Sequence, residues 1–358
     1  MNRIRYAERN SLCDYDLSFE FFNELGININ DISPVRNVFI IYTDNGNKIL
    51  KKVDCNEKKL TLINESLNYI KDKYNNIITY SEFENGSIYK KWKDKTYVVM
   101  DLLDGREACF TNPLEIKLCA KNIALMHKAS SGIREELIKK LNEDFLDESL
   151  EWKFEKAYDE LSFLKELVSK YKYKNEFDNL FINNVDKYLQ DIIVVKELLS
   201  KSKYTDLRKN GQTISLCHND LAYHNFLIKK EDVSIIDFDF LTIDLRIMDI
   251  ADFILKSIKN SAFDIDKMLL AINSYEEVLP LMEEEKEILY ILLYFPRDFY
   301  NISRDYYYKR KKWDYEVYLN RFNSKLNNEQ FRKDFIEEYK SYVLSKCWYM
   351  YNHSGRSN

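Results

Sequence analysis

The chain has 358 residues, enough for two domains or for one large bilobal enzyme with a generous core, and its 45% hydrophobic and 32% charged residues exclude a fibrous chain, a disulfide scaffold and extensive disorder. Lys and Arg number 54 against 59 Asp and Glu, a net charge of -5, so there is no basic excess to attract nucleic acid or anionic lipid, and neither nucleic acid nor membrane is an expected partner. The six cysteines (13, 55, 109, 119, 217 and 347) form no C-x-x-C pair and have no His at ligand spacing, which points to a reducing compartment without structural zinc or disulfides.

The opening "MNRIRYAERNSLCDY" carries charges where a signal peptide needs an apolar core, and no apolar run approaches bilayer length, so synthesis and residence in the cytosol are expected. Tyr (27) and Phe (21) are abundant while Gly numbers only 7. An aromatic-rich core explains this more simply than an insoluble assembly does.

From Val35 to Val53, two β-rich runs flank "DNGN", where Asn45-Gly46 supplies the positive φ of a tight hairpin. In "EKKLTLINESLNYIKDKY", Leu60, Ile63, Leu67, Ile70 and Tyr74 recur at helical spacing, which predicts one amphipathic helix on the hairpin. "GSIYKKW" and "KTYVVMDLL" add strands that Asp104-Gly105 breaks. In "TNPLEIKLCAKNIALMHKASSG", Asn112 is a plausible N-cap, Pro113 opens the helix and "SSG" stops it. Residues 134–203 and 262–350 also read as mainly helical, and between them "NFLIK" and "SIIDFDF" flank a turn at "KED". The layout is α+β: a small antiparallel N-lobe sheet with one main helix (1–104), a larger, mostly helical C-lobe (105–350) and a tail (351–358).

Within that layout "CHNDLAYHNFLI" (217–228) gains meaning. Phosphoryl transfer from ATP needs a carboxylate to orient and deprotonate the acceptor hydroxyl, ligands for Mg²⁺, and a cation on the non-transferred phosphates. His218-x-Asp220-x-x-x-x-Asn225 has the spacing of a kinase catalytic loop, with Asp220 as base. Of the two catalytic-loop candidates, His218 is better suited to bracing the loop by hydrogen bonds than to chemistry. Asp237, directly after an apolar pair, and Asn225 form the candidate metal pair for Mg²⁺.

On the hairpin, Lys51 is the candidate phosphate cation, with Lys52 as alternative, and Glu65 of the following helix is its candidate partner, with Glu57 as alternative. "VVMDLLDG" would be the connector, with backbone around Asp101, Leu102 and Leu103 facing adenine. No G-x-G-x-x-G precedes the hairpin; "NDISPVRNVF" offers only backbone and Ser33. ATP and Mg²⁺ are therefore the expected cofactors.

"HNDLAYHNFLI", "IIDFDF" and the Asp244 and Asp249 of "DLRIMDIADF" resemble the aminoglycoside phosphotransferase and choline kinase-like branch of the protein kinase-like superfamily. The resemblance implies that Asp249 is the buried carboxylate holding the catalytic loop. A closer similarity, to spore coat CotS-like proteins, rests on "SPVRNVFIIYTDNGNKILKKV", "GSIYKKWKDKTYVVMDLLDG", "LCAKNIALMHKASSG", the catalytic segment and "YFPRDFYNISRDYYYKRKKW", nearly the whole chain. It implies a protein made in the mother cell and deposited in the coat of a bacterial endospore, with other coat proteins as possible partners.

Two functions follow: an ATP- and Mg²⁺-dependent phosphotransferase acting on a small-molecule hydroxyl, or a catalytically silent coat component using a kinase-like body for assembly. A kinase acting on protein would need an activation segment ending in A-P-E, which is absent after "IDFDF". Asp239, Asp244 and Asp252 could form an acidic wall for a cationic acceptor, although capping and surface roles account for them better. "YYYKRKKW" (306–313) reads as an amphipathic helix with a solvated basic face rather than a stacking surface for an acceptor or coat partner. His127 reads as a packed or dipole-favoured residue.

Overall fold

The computed structural model describes Tyr15 and residues 17–258 and 263–353, with side chains through Tyr342. The charged N-terminal segment with Cys13, the side chain of Cys347 and the end of the tail lie outside the described residues. Cys55, Cys109, Cys119 and Cys217 are free thiols.

A short helix, α1 (Phe19–Leu25), precedes a sheet of five antiparallel strands: β1 (Asp31–Val35), β2 (Val38–Thr43), β3 (Gly46–Val53), β4 (Lys90–Trp92) and β5 (Lys95–Asp101), in the order β1-β2-β3-β5-β4. The hairpin turns at Gly46, whose φ of 98° suits a residue without Cβ. Val35 does not start this hairpin. It ends the additional strand β1, which meets β2 through a two-residue turn at Arg36-Asn37, with Arg36 at φ 51°. Ser33 is thereby in a strand, opposite Ile40.

Strand alternation gives the sheet two unlike faces. Leu50, Tyr97 and Val99 pack with Phe21 and Leu25 of α1. Val53 and Val98 face the other way, onto Leu60 of α2 (Glu57–Ile70), whose N-cap Asn56 accepts from the Lys59 N–H. Lys51 shares this second face and points toward the body of the protein.

The chain leaves the sheet through residues 102–105 and enters β6 (Arg106–Glu107), which pairs with β8 (Phe226–Lys229); β8 in turn pairs with β9 (Asp232–Ile235). At Gly105 the φ is 157°, and a Cβ would stand 3.1 Å from the Leu227 Cβ, so the crossing needs glycine. β7 (Ile214–Cys217) and β10 (Thr242–Leu245) form a second small pair.

Around these strands lie α3 (Pro113–Ala129), α4 (Ile133–Leu141), α5 (Leu150–Ser169), α6 (Glu176–Lys201), α7 (Tyr204–Leu207), α8 (Ile247–Ile258), α9 (Ile265–Glu276), α10 (Glu283–Tyr294), α11 (Arg297–Tyr307), α12 (Tyr315–Asn327) and α13 (Glu329–His353). Asn112 caps α3 by accepting from the Leu114 N–H, with Pro113 in the first turn. One continuous apolar core joins these helices to β7–β10. The basic stretch 306–313 is not the amphipathic helix its composition indicates. α11 ends at Tyr307, Lys309 turns at φ 52°, and Lys309–Lys312 lie exposed in the connection to α12 while Tyr306 stacks on Phe177.

Candidate active site

The loop between β7 and β8 is held from beneath. Asp249, in the first turn of α8, is fully buried; its Oδ2 accepts from the His218 N–H and its Oδ1 from the Asn219 N–H, each at 2.7 Å. His127 Nε2, at 3.1 Å, donates to the same carboxylate, while His127 Nδ1 accepts from the Tyr275 hydroxyl at 2.8 Å. His127 is thus a buried support. A carboxylate taken out of water is tolerable only with such partners.

Asn219 adopts φ 62°, a left-handed conformation that Asn accepts more readily than most residues, and its Nδ2 donates to Thr242 Oγ1 at 2.8 Å. This bend delivers Asp220 to the surface of the cleft. His218 is buried: its Nδ1 accepts from the Asp220 N–H at 3.1 Å and its Nε2 donates to the Ile236 carbonyl at 2.9 Å. Both ring nitrogens are engaged by backbone groups, so His218 is a positioning group that braces the loop.

Asn225 donates from Nδ2 to the Asp220 carbonyl at 2.8 Å and to Asp220 Oδ2 at 3.1 Å, and among the described residues its Oδ1 accepts no hydrogen bond. The Ile236 N–H donates to the Asn225 carbonyl at 3.0 Å, placing the segment that ends in Asp237 beside it. Asp237 follows β9 at φ 70°, ψ 65°, a left-handed conformation that turns its side chain out of the strand direction toward the cleft. Amide and carboxylate oxygens from neighbouring segments are a hard-oxygen donor set suited to Mg²⁺.

Lys51 meets this segment from the sheet. Its Nζ lies 2.6 Å from Asp237 Oδ1 and 2.7 Å from Asp239 Oδ1. Burial favours the neutral amine, but the two carboxylates outweigh it and raise the Lys51 pKa. For Asp237, burial pushes the carboxyl pKa up while the Lys51 ammonium pulls harder and leaves it below the ordinary value. Lys52, on the α1 face, lies 3.8 Å from exposed Asp54. Of the two lysines, Lys51 is the one in the cleft.

The expected Glu partner on the helix is overturned. Glu65 pairs with Lys140 of α4, and Glu57, at the start of α2, pairs with Lys91. The turn of α2 facing inward is filled by Leu62, Ile63, Ser66 and Leu67 instead. Asp239 occupies the partner role. The connector also differs in detail: Asp101 forms an ion pair with Lys48 at 2.7 Å, and the Leu102 N–H donates to the Asn47 carbonyl at 3.0 Å. Within the described residues the Leu103 peptide makes no hydrogen bond, so it keeps the free backbone groups an adenine edge would need.

On the other side of Asp220, α8 presents Asp249, Asp252 and Lys256 at helical spacing. Lys256 Nζ lies 2.5 Å from Asp220 Oδ1 and 2.7 Å from Asp252 Oδ2, and Asp252 also accepts from the Leu221 N–H at 2.8 Å and from Arg297 Nη2 at 2.7 Å. Sequence reasoning singled out neither Lys256 nor Arg297. The acidic wall does not form: Asp239 is tied to Lys51, Asp252 to Lys256 and Arg297, and Asp244 is buried 3.5 Å from Lys153.

The antiparallel sheet with one helix across it, the braced His-x-Asp loop and the Asp that follows the β8–β9 hairpin define the class: an α+β protein with a kinase-like phosphotransferase fold. The family described as "Spore coat putative kinase YutH" matches residues 20–339, and the chain belongs to it. It is 23% identical over 316 residues to spore coat protein S of Bacillus subtilis (strain 168), covering 85% of this chain and 86% of that one. Among solved structures, an aminoglycoside phosphotransferase from Alicyclobacillus acidocaldarius superposes with a TM-score of 0.75 at 16% identity, over 96% of this chain and 98% of that one. Amicoumacin kinase in complex with AMP-PNP, Ca²⁺ and Ami superposes with a TM-score of 0.61 at 13% identity, over 92% and 96%. The protein is a kinase-like protein of the spore coat.

Proposed function

We propose that this spore coat protein transfers the γ-phosphoryl group of ATP to a hydroxyl of a small molecule. The observation that carries the reading is the joint placement of Asp220, Asn225, Asp237 and Lys51: the first two share a hydrogen bond at 3.1 Å, and Lys51 reaches Asp237 from the opposite sheet at 2.6 Å. The nucleotide and divalent ion bound by amicoumacin kinase, which shares the fold, accord with ATP and Mg²⁺ as cofactors.

Asn225 Oδ1 and Asp237 would hold Mg²⁺, which supplies charge neutralisation on the phosphates. Lys51 binds the non-transferred phosphates, exchanging its carboxylate partners for phosphate oxygens, and Leu103 offers its peptide to adenine. Asp220 orients the acceptor hydroxyl; as the new acceptor O–P bond forms and the bond to the ADP oxygen breaks, the hydroxyl proton passes to its carboxylate. His218, Asn219 and Asp249 fix where that carboxylate stands. Synthesis in the mother cell and contact with other coat proteins belong to the same proposal.

A second reading is a silent assembly module of the coat. It is favoured by the ion pairing of Lys51, which Asp237 and Asp239 satisfy within the chain without any ligand. The two are separated by Asp220→Asn and ³²P transfer from γ-labelled ATP into the small-molecule fraction of sporulating cells. The phosphotransferase reading predicts transfer by wild type, a loss of about 10²–10⁴-fold in the variant, and equal ATP binding by both. Absence of transfer by the wild type, with a normal coat built by the variant, decides for the assembly module.

A further inference from the structure

A cleft of about 220 Å³ lies between α8, the end of α10, the start of α11 and α13. It is smaller than the ~300 Å³ at which drug-sized pockets begin. Its walls combine Tyr188, Phe295 and Phe299 with Lys256, Arg297 and Lys325. Lys256 lines this cleft and pairs with Asp220 at 2.5 Å, so one side chain links the cleft to the proposed base.

The charges of the cleft are layered. Asp252 is 3% exposed and lies behind Lys256 and Arg297, while the Arg297 side chain is 40% exposed. Arg332 is covered by Asp191 and Glu329, and Asp298, the one open carboxylate of the lining, is held by Lys325. Arg297 carries five N–H donors and, among the described residues, spends one, on Asp252. A guanidinium whose remaining edge faces a cleft is the preferred receptor for a planar or tetrahedral oxyanion. Lys256 gains a second reason to hold one: when Asp220 takes up the acceptor's proton, the ammonium keeps only one of its two carboxylate partners, Asp252 at 2.7 Å. A cationic acceptor, in contrast, would meet the like charges of Lys256 and Arg297 in the lining.

We infer that the acceptor is a small hydroxyl compound bearing an oxyanion, a carboxylate or a phosphate, which Arg297 and Lys256 hold while its hydroxyl faces Asp220. The inference rests on the phosphotransferase reading of the site and specifies its substrate class, one opposite in charge to amines and aminosugars.

Four matched hexoses test it by calorimetric titration into the full chain, with and without AMP-PNP and Mg²⁺: glucuronate, glucose 6-phosphate, glucosamine and glucose. The expected result is that glucuronate or glucose 6-phosphate binds at least about tenfold more tightly than glucose and glucosamine, and which of them does so distinguishes carboxylate from phosphate. Arg297→Gln removes that preference. Arg297→Lys, which keeps the charge without the paired N–H edge, loses most of it and serves if the Gln variant does not fold. Glucosamine binding as well as both anionic sugars, binding of none of the four, or a preference that survives both Arg297 variants overturns the inference. Because the titrations without nucleotide do not depend on ATP, failure here is distinct from failure of the phosphotransferase reading, which would appear as absent binding of ATP.

Discussion

The two sides of the cleft are built on opposite physical terms. Under the catalytic loop, Asp249, His218 and His127 are buried, and their hydrogen bonds are made to backbone, to one another or to the buried Tyr275 hydroxyl. At the sheet side, Lys51 is shared between Asp237 and Asp239, and the Asp237 side chain is 41% exposed. The first arrangement fixes a geometry and is costly to disturb. The second is a set of ionic contacts that a metal and a polyphosphate can replace. A rigid floor beside an exchangeable rim is what positioning and ligand exchange, respectively, require.

The largest effect that would sharpen this contrast belongs to Asp249→Ala. It leaves the His218 and Asn219 N–H groups and His127 without their acceptor and should cost about 3–5 kcal/mol of unfolding free energy in urea titration; a cost under ~1 kcal/mol would break the claim that the floor is rigid. Lys51→Met should leave the fold intact and weaken ATP binding by roughly 10–100-fold, the worth of a hydrogen bond to a charged group. Affinity unchanged by this substitution would remove Lys51 from the nucleotide site.

A smaller effect lies in the pH dependence of stability. The Asp237 carboxyl is depressed below its ordinary value, so its contribution is complete above the unfolded pKa of about 3.9 and is lost as pH falls through the lower folded value. Lys51 is raised, so its contribution is present below the unfolded pKa of about 10.4 and is lost only as pH rises through a value above it. Wild type should therefore exceed Lys51→Met by at most ~1 kcal/mol between these limits, with the gap closing below about pH 4; a gap that changes near pH 7 would point to another group. The smallest effect is that of Glu65→Gln. Its partner is Lys140, so ATP affinity should change less than about twofold, and a loss as large as that of Lys51→Met would restore Glu65 as the lysine's partner.

How much of this was legible depended on the range of the interaction. The β2–β3 hairpin, α2 and the capped start of α3 are local products of turn residues, helical spacing and an Asn-Pro cap, and the sequence displays all three. The loop from His218 to Asn225 was readable because its spacing is itself the signal. Lys52 stayed open as the alternative to Lys51 because apolar Leu50 and Val53 lie on opposite faces of the strand, and only the packing of α1 on the Leu50 face decides between them.

Contacts between distant segments were not legible. Glu65 and Glu57 both lie on the right helix, and only the packing of α2 against α4 shows that Glu65 turns to Lys140. Asp239 as the second partner of Lys51 depends on the left-handed turn at Asp237, a conformation that no glycine announces. Arg297 comes from 77 residues beyond Asp220, although the run Asp249, Asp252, Lys256 on a single helical face could have drawn attention to Lys256. The segment 306–313 misled because a basic, aromatic composition suits a helix as well as the exposed turn that Lys309 makes.

The most direct test of the central claim is calorimetric titration of ATP, with and without Mg²⁺, into wild type and Asp237→Asn. The account predicts binding that Mg²⁺ strengthens in the wild type and that loses its dependence on Mg²⁺ in the variant. No binding at millimolar ATP, or the same dependence on Mg²⁺ in both proteins, would contradict it.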